Sequence, residues 1–141
     1  MKQVRLSRIS DVFSAEELEF INKYYLPDYE PHQCHFNSAR FAIDCFDGYD
    51  ISFIEGSLTE EDLPAFGHCW NKVVRESDGK EFYIDITTEL VNGLDPTEKQ
   101  VWMYDEWGRS EIEDLFDNYG QAFIPHIGFT NDDGEEIKVI R

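Results

Sequence analysis

Two runs rich in aromatic and β-branched residues, Gly67 to Arg75 and Glu81 to Thr87, are joined by Glu76-Ser77-Asp78-Gly79. Such runs around a short segment ending in Asp-Gly predict an antiparallel hairpin. No other stretch constrains the fold as much, because the register of a hairpin decides which side chains share a face. With a four-residue loop, Arg75 pairs with Lys80 and His68 faces Thr87. Asp85 is then the diagonal neighbour of His68 on the same face, roughly 7–8 Å away at Cα and within reach of the imidazole. A two-residue Asp78-Gly79 loop keeps the face but sets Glu89 opposite His68, whereas a three-residue loop reverses the parity and separates the pair.

Upstream, Ala39, Ala42, Ile43 and Phe46 recur three or four apart and predict a helix from about Cys34 to Phe46, ended by Asp47-Gly48. Cys34 falls at the N-terminus of that helix. Unpaired backbone N–H groups and the helix dipole favour a negatively charged sulfur there. Cys45, three turns further on, reads as core.

The remaining chain reads as an alternation of short elements. Val4, Leu6 and Ile9 suggest a brief alternating segment. Ser14-Ala15-Glu16-Glu17 is a capping box that opens a helix over 15–25, and Pro27 and Pro31 bracket the loop after it. Tyr49 to Glu55 alternates as a strand stopping at Gly56, and Thr59 to Pro64 is an acidic turn. Asn92-Gly93 and Asp95-Pro96 mark loops. Gln100 to Trp107 reads as a strand, and Ser110 to Glu113 as a second capping box opening a helix to about Tyr119, with Ile112, Leu115 and Phe116 inward. Phe123 to Phe129, interrupted by Pro125, and Ile137 to Ile140 read as strands around a turn at Asn131 to Gly134. Helices followed by a run of antiparallel strands give an α+β class, and 141 residues suit one domain over 1–141.

Composition narrows the function classes. Twelve basic and thirty acidic residues give a net charge of -18, and the acidity is spread: residues 1–70 hold 5 basic and 13 acidic, the remainder 7 and 17. Direct binding to a nucleic-acid backbone is disfavoured, since phosphate contacts need a basic patch. The charge fits a soluble, self-repelling surface, and a sharper reading is an acidic binding or DNA-mimicking protein. No apolar run reaches membrane-spanning length, and the first residues lack the apolar stretch of a signal peptide, so a cytoplasmic protein is expected. Three cysteines do not make a disulfide framework, which favours reduced thiols.

A thiol at a helix start, followed by a histidine and an aspartate on neighbouring strands, supplies a nucleophile, its base and the group that orients the base. Each residue also has a plainer reading: Cys34 as a small buried hydrophobe, His68 as a hydrogen-bonded strand histidine, and Asp85 as a solvated carboxylate between Ile84 and Ile86. Asn37 either caps the helix or binds substrate. Glu55, at a strand end, either lines a cleft or is solvated, and Trp70 is core or cleft wall. His35 is set aside because adjacent helical side chains diverge. Cys34, His35, Cys45, His68 and Cys69 have zinc-ligating chemistry, yet no pair has Cys-x₂₋₄-Cys spacing and Cys69 points away from His68 on a strand, so no metal is expected. No cofactor-binding motif is present, and the sequence does not indicate an oligomeric state.

Gln33-Cys34-His35-Phe36-Asn37-Ser38, Phe53-Ile54-Glu55-Gly56, His68-Cys69-Trp70-Asn71, Asp78-Gly79-Lys80 and Asp85-Ile86-Thr87 together resemble the transglutaminase-like branch of the papain-fold cysteine enzymes. The resemblance covers about residues 31–90. It departs from the family pattern at Cys69, where a small residue is common, and at His35, where an aromatic often follows the cysteine. It implies a papain-like core, with the Cys-bearing helix packed on an antiparallel sheet. It also implies Cys34 as nucleophile, His68 as base and Asp85 as orienting acid, acting on a protein, peptide or small amide substrate. Asn37, Glu55 and Trp70 are the candidate substrate-binding residues.

Overall fold

The computed structural model describes residues 2–44, 46–59 and 66–119, together with the backbone pairing of 129–130 and 136–137. Its order is β1 (Lys2–Val4), α1 (Ala15–Phe20), α2 (Cys34–Asp44), β2 (Tyr49–Thr59), β3 (Phe66–Arg75), β4 (Glu81–Ile84), β5 (Gln100–Trp107), α3 (Arg109–Tyr119), and the small pair β6 (Phe129–Thr130) and β7 (Glu136–Ile137). The class is α+β. Five antiparallel strands in the order β1-β5-β2-β3-β4 form the main sheet.

That sheet curls into a half-barrel, and its two edges touch through a single bridge between Leu6 and Tyr83, where the Ser7 N–H donates to the Tyr83 carbonyl at 2.7 Å. The concave side is filled by Trp70 with Val4, Leu6, Ile54, Leu58 and Val101. Burying this much aromatic and branched surface is what makes the curl worthwhile, since deleting a buried Trp side chain costs about 3–5 kcal/mol. Gly56 allows it: a Cβ there would collide with the Trp70 indole and the Trp102 carbonyl. The strand therefore continues through Gly56 to Thr59, with a bulge at Glu55/Gly56, instead of stopping at the glycine as its sequence suggests.

Helices cover the other side. The Ser14 capping box is made from both ends: Ser14 Oγ accepts from the Glu17 N–H and Glu17 Oε1 from the Ser14 N–H. α1 then runs on through a π-turn at Ile21–Tyr25. Helix α2 begins at Cys34 and buries two adjoining faces. Phe41 and Ala42 pack into a cluster with Phe13, Ile21, Ile51 and Val73, and Ala39 into one with Phe53, Cys69, Trp107, Ile112 and Leu115. The chain leaves α2 through Gly48 at φ 98°, a left-handed conformation that a side chain disfavours. α3 starts two residues before the sequence-based boundary, and Glu111, not Glu113, reaches back to bond the Gly108 N–H.

The hairpin has the four-residue loop. Val74 pairs with Glu81 and Asn71 with Ile84, and the Arg75 N–H donates to the Lys80 carbonyl at 2.9 Å. β4, however, ends at Ile84, where the sequence pattern runs to Thr87. The acidic turn after Thr59, Cys45, and the strands and turn expected over 123–140 lie outside the described residues, apart from the short β6–β7 pairing. Among the described residues no helix is long and apolar enough to cross a membrane.

Candidate active site

Asp85 is where the second strand turns into something else. Its carboxylate caps the helical turn that follows: Oδ1 accepts the Thr88 N–H at 2.9 Å, and Oδ2 accepts the Thr88 hydroxyl at 2.8 Å. Satisfying the free N–H groups of a helical turn competes with extending the strand, and here the cap prevails. The carboxylate is wholly buried and held by the backbone on one side. On its open side Oδ2 meets His68 Nε2 at 2.6 Å. The imidazole is thus oriented by a fixed acceptor, which leaves Nδ1 for another partner.

Cys34 lies on the same cleft as that ring, and Cys69, His35 and His68 all bear on its thiol. Cys69 has the largest influence on the thiol. Against the opposing effect of burial, the neighbouring Cys69 thiol helps to hold Cys34 far below an ordinary thiol, with His35 and His68 adding to the effect. The same contact pushes the Cys69 thiol well above its usual range. Burial works against a charged His68, but the Asp85 carboxylate and the Cys34 sulfur overcome it and raise the imidazole to about 10. At neutral pH this favours a thiolate–imidazolium pair with a carboxylate behind it.

Two buried asparagines hold the three elements in place. Asn37, in the first turn of α2, donates to the Thr87 hydroxyl at 3.0 Å and the Glu30 carbonyl at 2.9 Å, and accepts the Glu30 N–H at 3.2 Å. It therefore ties the Cys34 helix to the Asp85 turn and to the incoming loop. Asn71 on β3 donates to the Ser38 carbonyl of α2 at 2.8 Å and to the Ser52 carbonyl of β2 at 3.1 Å. The site is thus braced on both sides of α2.

Cys34 and His68 open onto a cleft of about 360 Å³. Leu58, Phe66 and Leu94 give it apolar walls, and His32, Asn92 and Lys99 supply polar ones. His32, two residues before the nucleophile candidate, has a left-handed backbone at φ 62°. That conformation is uncommon for a residue with a side chain and turns the chain sharply into α2.

The structure brings Cys34, His68 and Asp85 together and leaves the other three candidates outside the cleft. Asn37 faces inward, as described. Glu55 is buried in the middle of β2, not at a strand end, and accepts the Trp107 Nε1–H at 2.6 Å. Trp70 is fully buried, with its ring lying nearly parallel to His68 at 6.1 Å between centroids. Cys69, set aside on strand parity, and His35, set aside as divergent, both contact Cys34. Thr88 was also missed, although its spacing from Asp85 is that of an aspartate cap with its threonine partner three residues on. Among the described residues no three or more His, Cys, Asp or Glu side chains converge as metal ligands. No family model, curated protein or solved structure matches the chain.

Proposed function

We propose that the protein is a thiol enzyme that transfers an acyl group from an amide or ester, using a papain-like arrangement of a cysteine helix across an antiparallel sheet. The observation that carries this reading is the line of Asp85, His68 and Cys34. A buried carboxylate bonds one imidazole nitrogen at 2.6 Å, and the same ring contacts a thiol whose charged form is favoured at the mouth of a cleft. A merely structural histidine needs no activated thiol, and a merely buried thiol needs no oriented base.

In this mechanism the Cys34 thiolate attacks the carbonyl carbon, and N–H groups in the first turn of α2 stabilise the oxyanion. The His68 imidazolium gives its proton to the leaving amine or alcohol, and a thioester remains on Cys34. Water or an amine then attacks the thioester while His68 takes its proton, and Cys34 departs as thiolate. Asp85 keeps the ring in the required tautomer throughout. Water as acceptor makes the protein a protease, amidase or deamidase; an amine makes it a transglutaminase-like transferase.

An activated ester such as p-nitrophenyl acetate tests this. The expected result is an acetyl adduct on Cys34 by intact mass and peptide mapping, followed by turnover that Cys34→Ala abolishes. A stable adduct on another residue, or none, overturns the reading. The net charge of -18 supports a second reading, an acidic binding or DNA-mimicking protein on this scaffold. In that case Cys34→Ala retains the biological effect, and raising salt weakens it.

A further inference from the structure

Two thiols meet at the site, one in the cleft and one below it, and acyl transfer uses one of them. Cys34 is half-buried and lines the cleft, whereas Cys69 is buried beneath it, in the same cluster of Ala39, Phe53, Trp107, Ile112 and Leu115 against which Cys34 packs. Any small residue would fill that position on β3, and the proposed mechanism gives Cys69 no bond to make. A second thiol packed against an accessible nucleophilic one has a chemistry of its own.

We infer that Cys34 and Cys69 form a peroxide-responsive pair, in which oxidised Cys34 is captured by Cys69 as a reversible disulfide. The inference depends on the acyl-transfer reading only for its consequence, which is that the disulfide shuts off the nucleophile. In the first step the Cys34 thiolate attacks one oxygen of hydrogen peroxide. The O–O bond breaks, hydroxide leaves and takes a proton to become water, and Cys34 becomes a sulfenic acid. In the second step the Cys69 sulfur attacks the Cys34 sulfur. The S–O bond breaks, the departing hydroxide takes the Cys69 proton as water, and the disulfide forms. Two thiols and one peroxide thus give one disulfide and two waters.

The environment suits the order of events. Cys34 reacts first because it is the thiol that reaches the cleft. Cys69 is held protonated chiefly by the charged Cys34 sulfur beside it, and conversion of Cys34 to a neutral sulfenic acid removes that influence. Without a partner, a sulfenic acid in excess peroxide proceeds to sulfinic acid, which ordinary thiols do not reverse.

The test uses the full-length reduced protein. One equivalent of hydrogen peroxide is added, remaining thiols are alkylated, and peptides are mapped without reduction. The expected products are a peptide linking Cys34 to Cys69 and the loss of two thiols per peroxide, both reversed by dithiothreitol. In Cys69→Ser, Cys34 is expected to be trapped by dimedone and to advance to sulfinic acid as peroxide is raised. Wild-type protein that accumulates sulfinic acid at Cys34 with Cys69 free, or that links Cys34 to Cys45, overturns the inference. Because the readout is covalent, the linked peptide is detectable even in a protein with no esterase turnover, so failure of the pair and failure of the acyl-transfer reading are distinguished.

Discussion

The two ends of β3 carry ion pairs of the same length and opposite significance. Near its start, His68 meets Asp85 at 2.6 Å, with the side chains 9% and 0% exposed. At its hairpin end, Arg75 meets Asp78 at 2.6 Å, with 23% and 35% exposure. Distance alone does not separate them, but burial does. Water competes for the hairpin pair, and even as a two-nitrogen fork an exposed pair is worth at most about 1 kcal/mol. The buried pair has no solvent to fall back on, so removing one partner strands the other. The hairpin pair closes a turn, whereas the buried pair fixes an imidazole.

The sharpest way to break this comparison is at Asp85. Asp85→Ala is expected to destabilise the fold by about 3–5 kcal/mol, measured by urea unfolding, because a buried histidine loses its partner. The closer isostere Asp85→Asn keeps the shape, and its expected effect is a loss of about 10²–10⁴-fold in kcat/KM for ester hydrolysis. Asn71→Ala is the next step down. It removes the buried amide between α2, β3 and β2, with an expected cost of about 1–3 kcal/mol in the same assay and a further loss of activity from misplacement of Cys34. At the bottom of the scale, Asp78→Asn weakens a two-nitrogen Arg75 fork at the surface and is expected to cost no more than about 1 kcal/mol in unfolding and to leave turnover unchanged. A hairpin variant as damaging as the Asp85 variants would erase the distinction.

The sequence carries part of this contrast and hides the rest. The hairpin is legible because β-branched runs flank an Asp-Gly turn, but its register is not: the sequence allows loops of two, three or four residues, and the structure has the four-residue one. The start of α2 at Cys34 was legible from the spacing of Ala39, Ala42 and Ile43. The sequence pattern makes β4 too long because it says nothing about the competing cap that Asp85 makes with Thr88. Gly56 looked like a strand end, but the reason for the glycine is tertiary, namely the Trp70 ring and the Trp102 carbonyl packed over it. Glu55 was misplaced with it. The sequence gives no sign that Cys69 bears on Cys34, because alternation along the strand points it away from His68. Cys34 contacts both neighbours, which alternation within β3 alone does not reveal.

The most direct test of an activated thiol is the pH dependence of Cys34 alkylation, measured with limiting iodoacetamide and mapped by mass spectrometry. An ordinary thiol loses about tenfold in rate for each pH unit below its pKa near 8.5, because only the thiolate reacts. Cys34 is held down to about 2, so its thiolate persists as pH falls and its labelling is expected to stay fast from neutral into mildly acidic solution. Cys69→Ala, which removes the strongest of the lowering contacts, is expected to shift the profile upward more than His68→Ala does. A wild-type profile that falls tenfold per unit from about pH 8.5, or labelling that prefers Cys45 or Cys69 with Cys34 inert, would contradict the assignment of Cys34 as an activated nucleophile.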